Sequence, residues 1–333
     1  MPFSENQNHQ IIHYGNTKMS KYLIYTDAHA KGVNPKSRTD NYYQSWLTKY
    51  REVFSIAKEN KVRAIIDGGD LLDIPNVADS IVDDILDIIE EFQIPVWALW
   101  GNHNQIGHNT ENSKNTSFSH MLRRCKLLRE LQEFGTDNYI IKGFEYYHTV
   151  EEDIKKEGIF FEPALDIYKE SFKQAWKIAI CHVMITPTPF FKDAAYIVPE
   201  DIETNADLIV CGHFHHPWQK KVGNTQFVNP GCFGRTSISM YDIEPSVVLL
   251  DTEKRSWELI KLTSAKKGTE VFDLSKKETL ENNERELEEF ISQLKNFKAQ
   301  EMDLVSVINQ ICKDNAIDIK VRDIILNKLG EVK

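Results

Sequence analysis

The chain has 333 residues, of which 41% are hydrophobic and 27% charged, and a formal net charge of −10. This is the composition of a folded globular protein, and no apolar run approaches the ~20 residues of a membrane-spanning helix, so no membrane span is expected. The acidic balance excludes a protein that coats nucleic acid by bulk charge, which needs clustered Lys and Arg, but it leaves open carboxylate sites whose charge is offset by bound cations.

Residues 1–20 are polar and lack a basic stretch followed by an apolar one, so they read as a loose arm and not as a signal peptide. From Lys21 short apolar runs alternate with amphipathic stretches: a strand at 22–25, a helix at about 40–59, a strand at 64–66, a helix at 79–92 and a strand at 96–100, a βαβαβ pattern. In the second helix Ala78, Ile81, Val82, Ile85, Leu86, Ile88 and Ile89 recur at helical spacing against Asp and Glu, giving one face toward a sheet. Residues 118–134 read as helix, 139–142 as extended and 146–173 as mixed. Strand signals return at 177–181, 208–211, 226–229, 247–251 and 257–262, the last two joined by a hairpin over 252–256. A second sheet packed on the first is their natural use, which makes the fold class α/β.

After Leu262 the chain turns polar and lysine-rich, then rich in helix formers, with amphipathic stretches at 280–297, 304–312 and 321–329. The expected organisation is therefore an arm (1–20), a main domain (21–262) and a linker with a helical C-terminal region (263–333), which either folds back or docks a partner helix. Cys125, Cys181, Cys211, Cys232 and Cys312 are odd in number and lack Cys-x-x-Cys spacing, so they read as reduced, mostly buried thiols of a cytoplasmic protein.

Five motifs follow one another in fixed order: Asp27-Ala28-His29, Gly69-Asp70-Leu71-Leu72-Asp73, Gly101-Asn102-His103-Asn104, His182, and Gly212-His213-Phe214-His215. The first four follow strand-like runs, and in open α/β sheets ligands gather beyond the carboxyl ends of strands. Asp27 and His29 stand two apart, so an extended backbone would send both to one ion. Asp70 has two carboxylate oxygens and is the candidate to bridge two ions. Asn102 offers a neutral carbonyl oxygen to the second ion. Its neighbour His103 points elsewhere and is placed to protonate a leaving oxygen. His182 joins the ligands in this company, and His213 and His215 supply one ring to each ion. Asp73 is expected to support a ligand histidine, and Asn104 and Arg235 are candidate supporting or substrate contacts. Carboxylate, amide and imidazole without thiolate suit two divalent ions, manganese first, with iron, zinc or magnesium as alternatives. Such a pair, roughly 3.5–4 Å apart, can hold a phosphate ester, generate hydroxide from water and stabilise the leaving oxygen.

The ordered motifs resemble those of the calcineurin-like metallophosphoesterase superfamily over roughly residues 21–262. The resemblance implies a two-sheet β-sandwich flanked by helices. It also implies one ion on Asp27, His29, Asp70 and His215, another on Asp70, Asn102, His182 and His213, and catalytic assistance by His103. Gly101-Asn102-His103-Asn104, the Asn229-Pro230-Gly231 loop and the helical tail look most like the SbcD-type DNA-repair exonuclease subunits of bacteria and their phages. That likeness implies a manganese-dependent DNA exonuclease or endonuclease in repair, recombination or phage DNA processing. It further implies a homodimer and an SMC-like coiled-coil ATPase partner of the SbcC type at the C-terminal helices. A small-substrate phosphatase or cyclic-nucleotide phosphodiesterase is the rival expectation, and an inactive scaffold a more distant one.

Overall fold

The computed structural model describes residues 12–13, 20–163, 169–189 and 195–275. The chain divides into two units, Met1–Asp273 and Leu274–Lys333, and the helical stretches expected at 280–297, 304–312 and 321–329 lie outside the described residues, as does Cys312.

The strands are β1 (Ile12–His13), β2 (Lys21–Tyr25), β3 (Ala64–Asp67), β4 (Val96–Ala98), β5 (Leu128–Glu130), β6 (Phe134–Thr136), β7 (Tyr139–Phe144), β8 (Trp176–Cys181), β9 (Leu208–Cys211), β10 (Trp218–Val222), β11 (Thr225–Asn229), β12 (Ser246–Asp251) and β13 (Ser256–Lys261). They form a six-stranded sheet in the order β13-β12-β2-β3-β4-β5 and a seven-stranded sheet in the order β1-β6-β7-β8-β9-β11-β10. Helices α1 (Tyr42–Glu59), α2 (Asp79–Phe92) and α3 (Ser117–Arg124) cover the first sheet, and α4 (Val150–Glu157) covers the second.

Period-two alternation builds the layers. On β2, Tyr22 and Ile24 enter the core between the sheets with Ile66, Ile178, Ile180, Val210 and Val248. Leu23 and Tyr25 point the other way, onto Trp46, Tyr50 and Phe54 of α1 and Ile85 and Ile89 of α2. Strands β2, β3, β8 and β9 lie inside their sheets with helices or the other sheet on both faces, which is why they read as continuous apolar runs. The fold is thus an α/β two-sheet sandwich flanked by helices. Among the described residues no helix is long and apolar enough to cross a membrane.

Three local readings change. The helix expected over 118–134 stops at Arg124, because Leu128 pairs with Val96 in a parallel ladder and Phe134 packs edge-on against Trp97 with ring centroids 4.3 Å apart. Strand pairing within the six-stranded sheet, with burial of Phe134 between the layers, overrides the helical pattern there. Strand β10 was not expected; it pairs with β11 across Gly223-Asn224, with Gly223 at φ +58°. Within the arm, Ile12–His13 pairs with Phe134–Gly135.

Candidate metal centre

Each motif sits just past a strand end. Asp27 and His29 follow β2, Asp70 follows β3, His182 follows β8, and His213 and His215 follow β9, while Asn102, His103 and Asn104 form a 3-10 turn after β4. Both sheets therefore contribute. The two loops after β2 and β3 are laced together by backbone hydrogen bonds, Asp27 N–H to Gly69 O at 3.0 Å, His29 N–H to Asp70 O at 2.8 Å and Ala30 N–H to Leu71 O at 2.8 Å.

The convergence of Asp27 and His29 does not come from extended geometry. Asp27 (φ +54°), His29 (+48°), Asp70 (+59°) and His213 (+73°) all occupy the left-handed region, which costs a non-glycine residue about 1–2 kcal/mol each. Strain of this kind concentrates where a site needs a particular side-chain direction. Two glycines make the approach possible: a Cβ at Gly69 would overlap the His182 ring, and one at Gly101 would overlap the Asp70 carboxylate.

The donors fall into two groups that meet at Asp70. In the first, His29 Nε2 and His215 Nε2 are 3.1 Å apart, and Asp27 Oδ1 lies 3.5 Å from His215 Nε2 and 3.9 Å from His29 Nε2. In the second, His182 Nε2 is 3.2 Å from both Asp70 Oδ2 and Asn102 Oδ1, and the His213 ring centroid is 5.2 Å from that of His182. Asp70 Oδ2 is buried without a hydrogen-bond partner and also lies 3.9 Å from His29 Nε2. The His182 Nδ1–H donates to the Gly68 carbonyl at 2.9 Å, which leaves the Nε2 lone pair facing two oxygens. Lone pairs turned on one another in a buried place require a cation or a proton between them. The donor set, with carboxylate, imidazole and amide, fits borderline or hard divalent ions.

The charge states fit as well. Burial, with the neighbouring His182, lowers the His213 pKa to about 3, and burial lowers that of His215 to about 4, so both rings are neutral ligands at neutral pH. Burial opposes ionisation of Asp70, but His182 and His29 outweigh it and hold the carboxyl well below the usual range. Burial also opposes the His182 cation, yet Asp70 and Asp27 raise its pKa to about 9. Without metal, a proton therefore occupies His182 Nε2 below about pH 9, and a cation must displace it. Metal affinity is accordingly expected to rise with pH up to about 9, with proton release on binding. Calorimetry in two buffers of different ionisation enthalpy reads this directly, and binding without proton release would contradict it.

Around these groups lie supporting residues. Asp73 Oδ1 is 3.4 Å from His29 Nδ1, its Oδ2 accepts from Lys31 Nζ at 2.8 Å, and its backbone carbonyl accepts from His103 Nδ1–H at 2.6 Å. The Lys31-Asp73-His29 chain orients a ligand ring, so Asp73→Asn is expected to weaken metal binding roughly 10–100-fold, measured by competition with a chelating dye. Asn104 is buried and ties its turn to the Leu72 carbonyl at 3.1 Å. Arg235 is not at the centre: it is 3% exposed, and its guanidinium donates to the carbonyls of Ile243 and Lys266 at 3.2 and 2.6 Å.

Four residues nearby belong to none of the five motifs. Cys232 Sγ lies within 4.8 Å of ring nitrogens of His29 and His215, but burial pushes its thiol up to about 12 and its S–H lies 3.4 Å from the Asp27 carbonyl, so it packs as a neutral thiol. Tyr146 sets its ring 5.3 Å from that of His213 and 5.3 Å from that of His108, and His108 stacks on His148 at 6.4 Å. Only the spacing-free pair Tyr146-Tyr147 hinted at this aromatic rim.

Residues 21–255 match the model of the calcineurin-like phosphoesterase superfamily domain. No curated protein matches the sequence. Solved structures similar to the chain include the protein TT1561 of Thermus thermophilus, at 14% identity over 74% of this chain and 100% of that one, with a TM-score of 0.42. A novel archaeal phosphodiesterase is 16% identical over 73% of this chain and 99% of its own, with a TM-score of 0.37. A dimetal phosphatase from Danio rerio is 10% identical over 73% and 99%, with a TM-score of 0.43.

Proposed function

The chain belongs to the calcineurin-like phosphoesterase superfamily, a family of phosphoester hydrolases, and from that premise we propose that it is a manganese-dependent phosphodiesterase acting on DNA. The observation that carries the metal dependence is the buried Asp70 Oδ2, set 3.2 Å from His182 Nε2 and 3.9 Å from His29 Nε2. When bound, two divalent cations supply Lewis acidity toward a phosphoryl oxygen and lower the pKa of a water. Asp27, His29, Asp70 and His215 would hold one of them, and Asp70, Asn102, His182 and His213 the other. His103, with Nδ1 fixed on the Asp73 carbonyl, keeps Nε2 for the proton that the departing sugar oxygen requires.

The nucleic-acid reading draws support from the rim of Tyr146, His108 and His148, whose flat faces beside the second ligand group suit stacking of unpaired bases. Docking of a coiled-coil ATPase through residues 263–333, and a homodimer, belong to the same proposal. The net charge of −10 favours a second reading, a phosphatase or cyclic-nucleotide phosphodiesterase with a small substrate.

One experiment separates them. Protein incubated with Mn²⁺ and end-labelled duplex, hairpin and single-stranded DNA, alongside a chromogenic phosphodiester and an EDTA control, is expected to cleave DNA only with metal. Turnover of the small ester with all DNA left intact would overturn the DNA reading in favour of the second.

A further inference from the structure

We propose that the protein holds a buried site for one small monovalent anion of the chloride class, walled by Arg38, Lys49 and Arg235 behind the loop that supports Asp27. These three cationic side chains are 7%, 2% and 3% exposed. Asp40, the carboxylate within their reach, is already taken, with Arg38 Nε and Nη2 each donating to one of its oxygens at 2.8 Å. Lys49 and Arg235 form no ion pair among the described residues. Lys49 donates to the Phe233 carbonyl and sits 4.6 Å from the Phe233 ring centroid. Arg235 spends its two terminal nitrogens on the carbonyls of Ile243 and Lys266, and its buried Nε–H has no partner.

Between them is a cavity of about 10 Å³ lined by Arg38, Ser45, Lys49, Arg235 and Ser264, room for one water-sized particle. Burying cations without a counter-charge leaves their desolvation unreturned. Lysine can escape by losing its proton, and burial together with Arg235 and Arg38 does lower the Lys49 pKa well below its ordinary value. Arginine has no such escape. With Lys49 neutral, Arg235 still lacks a charge partner and its Nε–H still lacks an acceptor. The Cys232 thiol, pushed up by burial to about 12, does not supply the charge. Carboxylate or phosphate ligands far exceed the cavity, and a water would supply an acceptor but no charge; a monoatomic halide, somewhat larger than a water, is the anion nearest the cavity in size.

Such an ion joins three segments: α1 through Lys49, the loop before α1 through Arg38, and the loop after β11 through Arg235. Phe233 and Gly234 of that last loop donate backbone N–H to the carbonyls of Thr26 and Asp27 at 3.3 and 3.1 Å.

The test uses the full chain. Thermal unfolding is followed in chloride or bromide against gluconate at equal ionic strength, and bromide is located by anomalous diffraction. Expected are a Tm rise of about 2–3 °C for each tenfold increase in halide above saturation and a bromide peak within hydrogen-bonding distance of Arg235 Nε. Lys49→Met should reduce the halide response. Equal Tm values in chloride and gluconate, or a cavity without bromide, would overturn the proposal, and the wild-type measurements decide the matter if the variant does not fold.

Discussion

Asp70→Asn is expected to deprive the protein of both metals and to lower kcat/KM by at least about 10²–10³-fold. The size of the effect follows from where the two oxygens point. Oδ1 accepts the His103 backbone N–H at 2.9 Å, and asparagine can keep that bond, so the turn after β4 stays in place. Oδ2 is the atom between His29 and His182, and an amide nitrogen there has no lone pair to offer. The substitution thus tests ligation with little disturbance to the fold. Metal content after gel filtration and phosphodiester turnover are the two readouts. A variant that retains the wild-type complement of metal would remove Asp70 from the bridging position.

His103→Ala is expected to act on the opposite side of the reaction, with kcat falling about 10²–10⁴-fold while metal affinity stays near wild type. The loss should shrink for esters with a nitrophenolate leaving group, which departs without a proton. The competing outcome is concrete, because a His103 ring nitrogen lies within 4.8 Å of donor atoms of His29 and Asp70, close enough to ligate. A parallel drop in metal affinity, with no dependence on the leaving group, would make His103 a ligand and leave the proton donor to be sought elsewhere.

The motifs were legible because metal ligation restricts residue type: carboxylate, imidazole and amide in order after apolar runs has few other uses. Their geometry was not. The strand rule led Asp27 and His29 to the same place by the wrong route, since it knows nothing of a backbone held at φ +54° and +48° by ladders to the next loop. Residues 125–134 misled for a related reason: their helical spacing was real, but burial of Leu128 under the helices and of Phe134 between the sheets, against partners far along the chain, decided the outcome. The missed strand β10 had a usable signal in Gly223-Asn224 between alternating residues. Arg235 had none, and Tyr146 only a neighbouring tyrosine without spacing. Whether an arginine meets substrate or backbone carbonyls, and whether a tyrosine meets a ligand histidine, depends on loops whose paths no local pattern specifies.

That ligands come from the ends of strands in both sheets has a mechanical consequence. Cations held by Asp27, His29, Asp70 and Asn102 on one layer and His182, His213 and His215 on the other would act as a rivet through the sandwich. Their binding energy is then also adhesion energy between the layers. Chelation should lower resistance to heat as well as stop turnover, and a truncation such as Ile180→Ala, remote from any substrate, should announce itself first as leakage of metal.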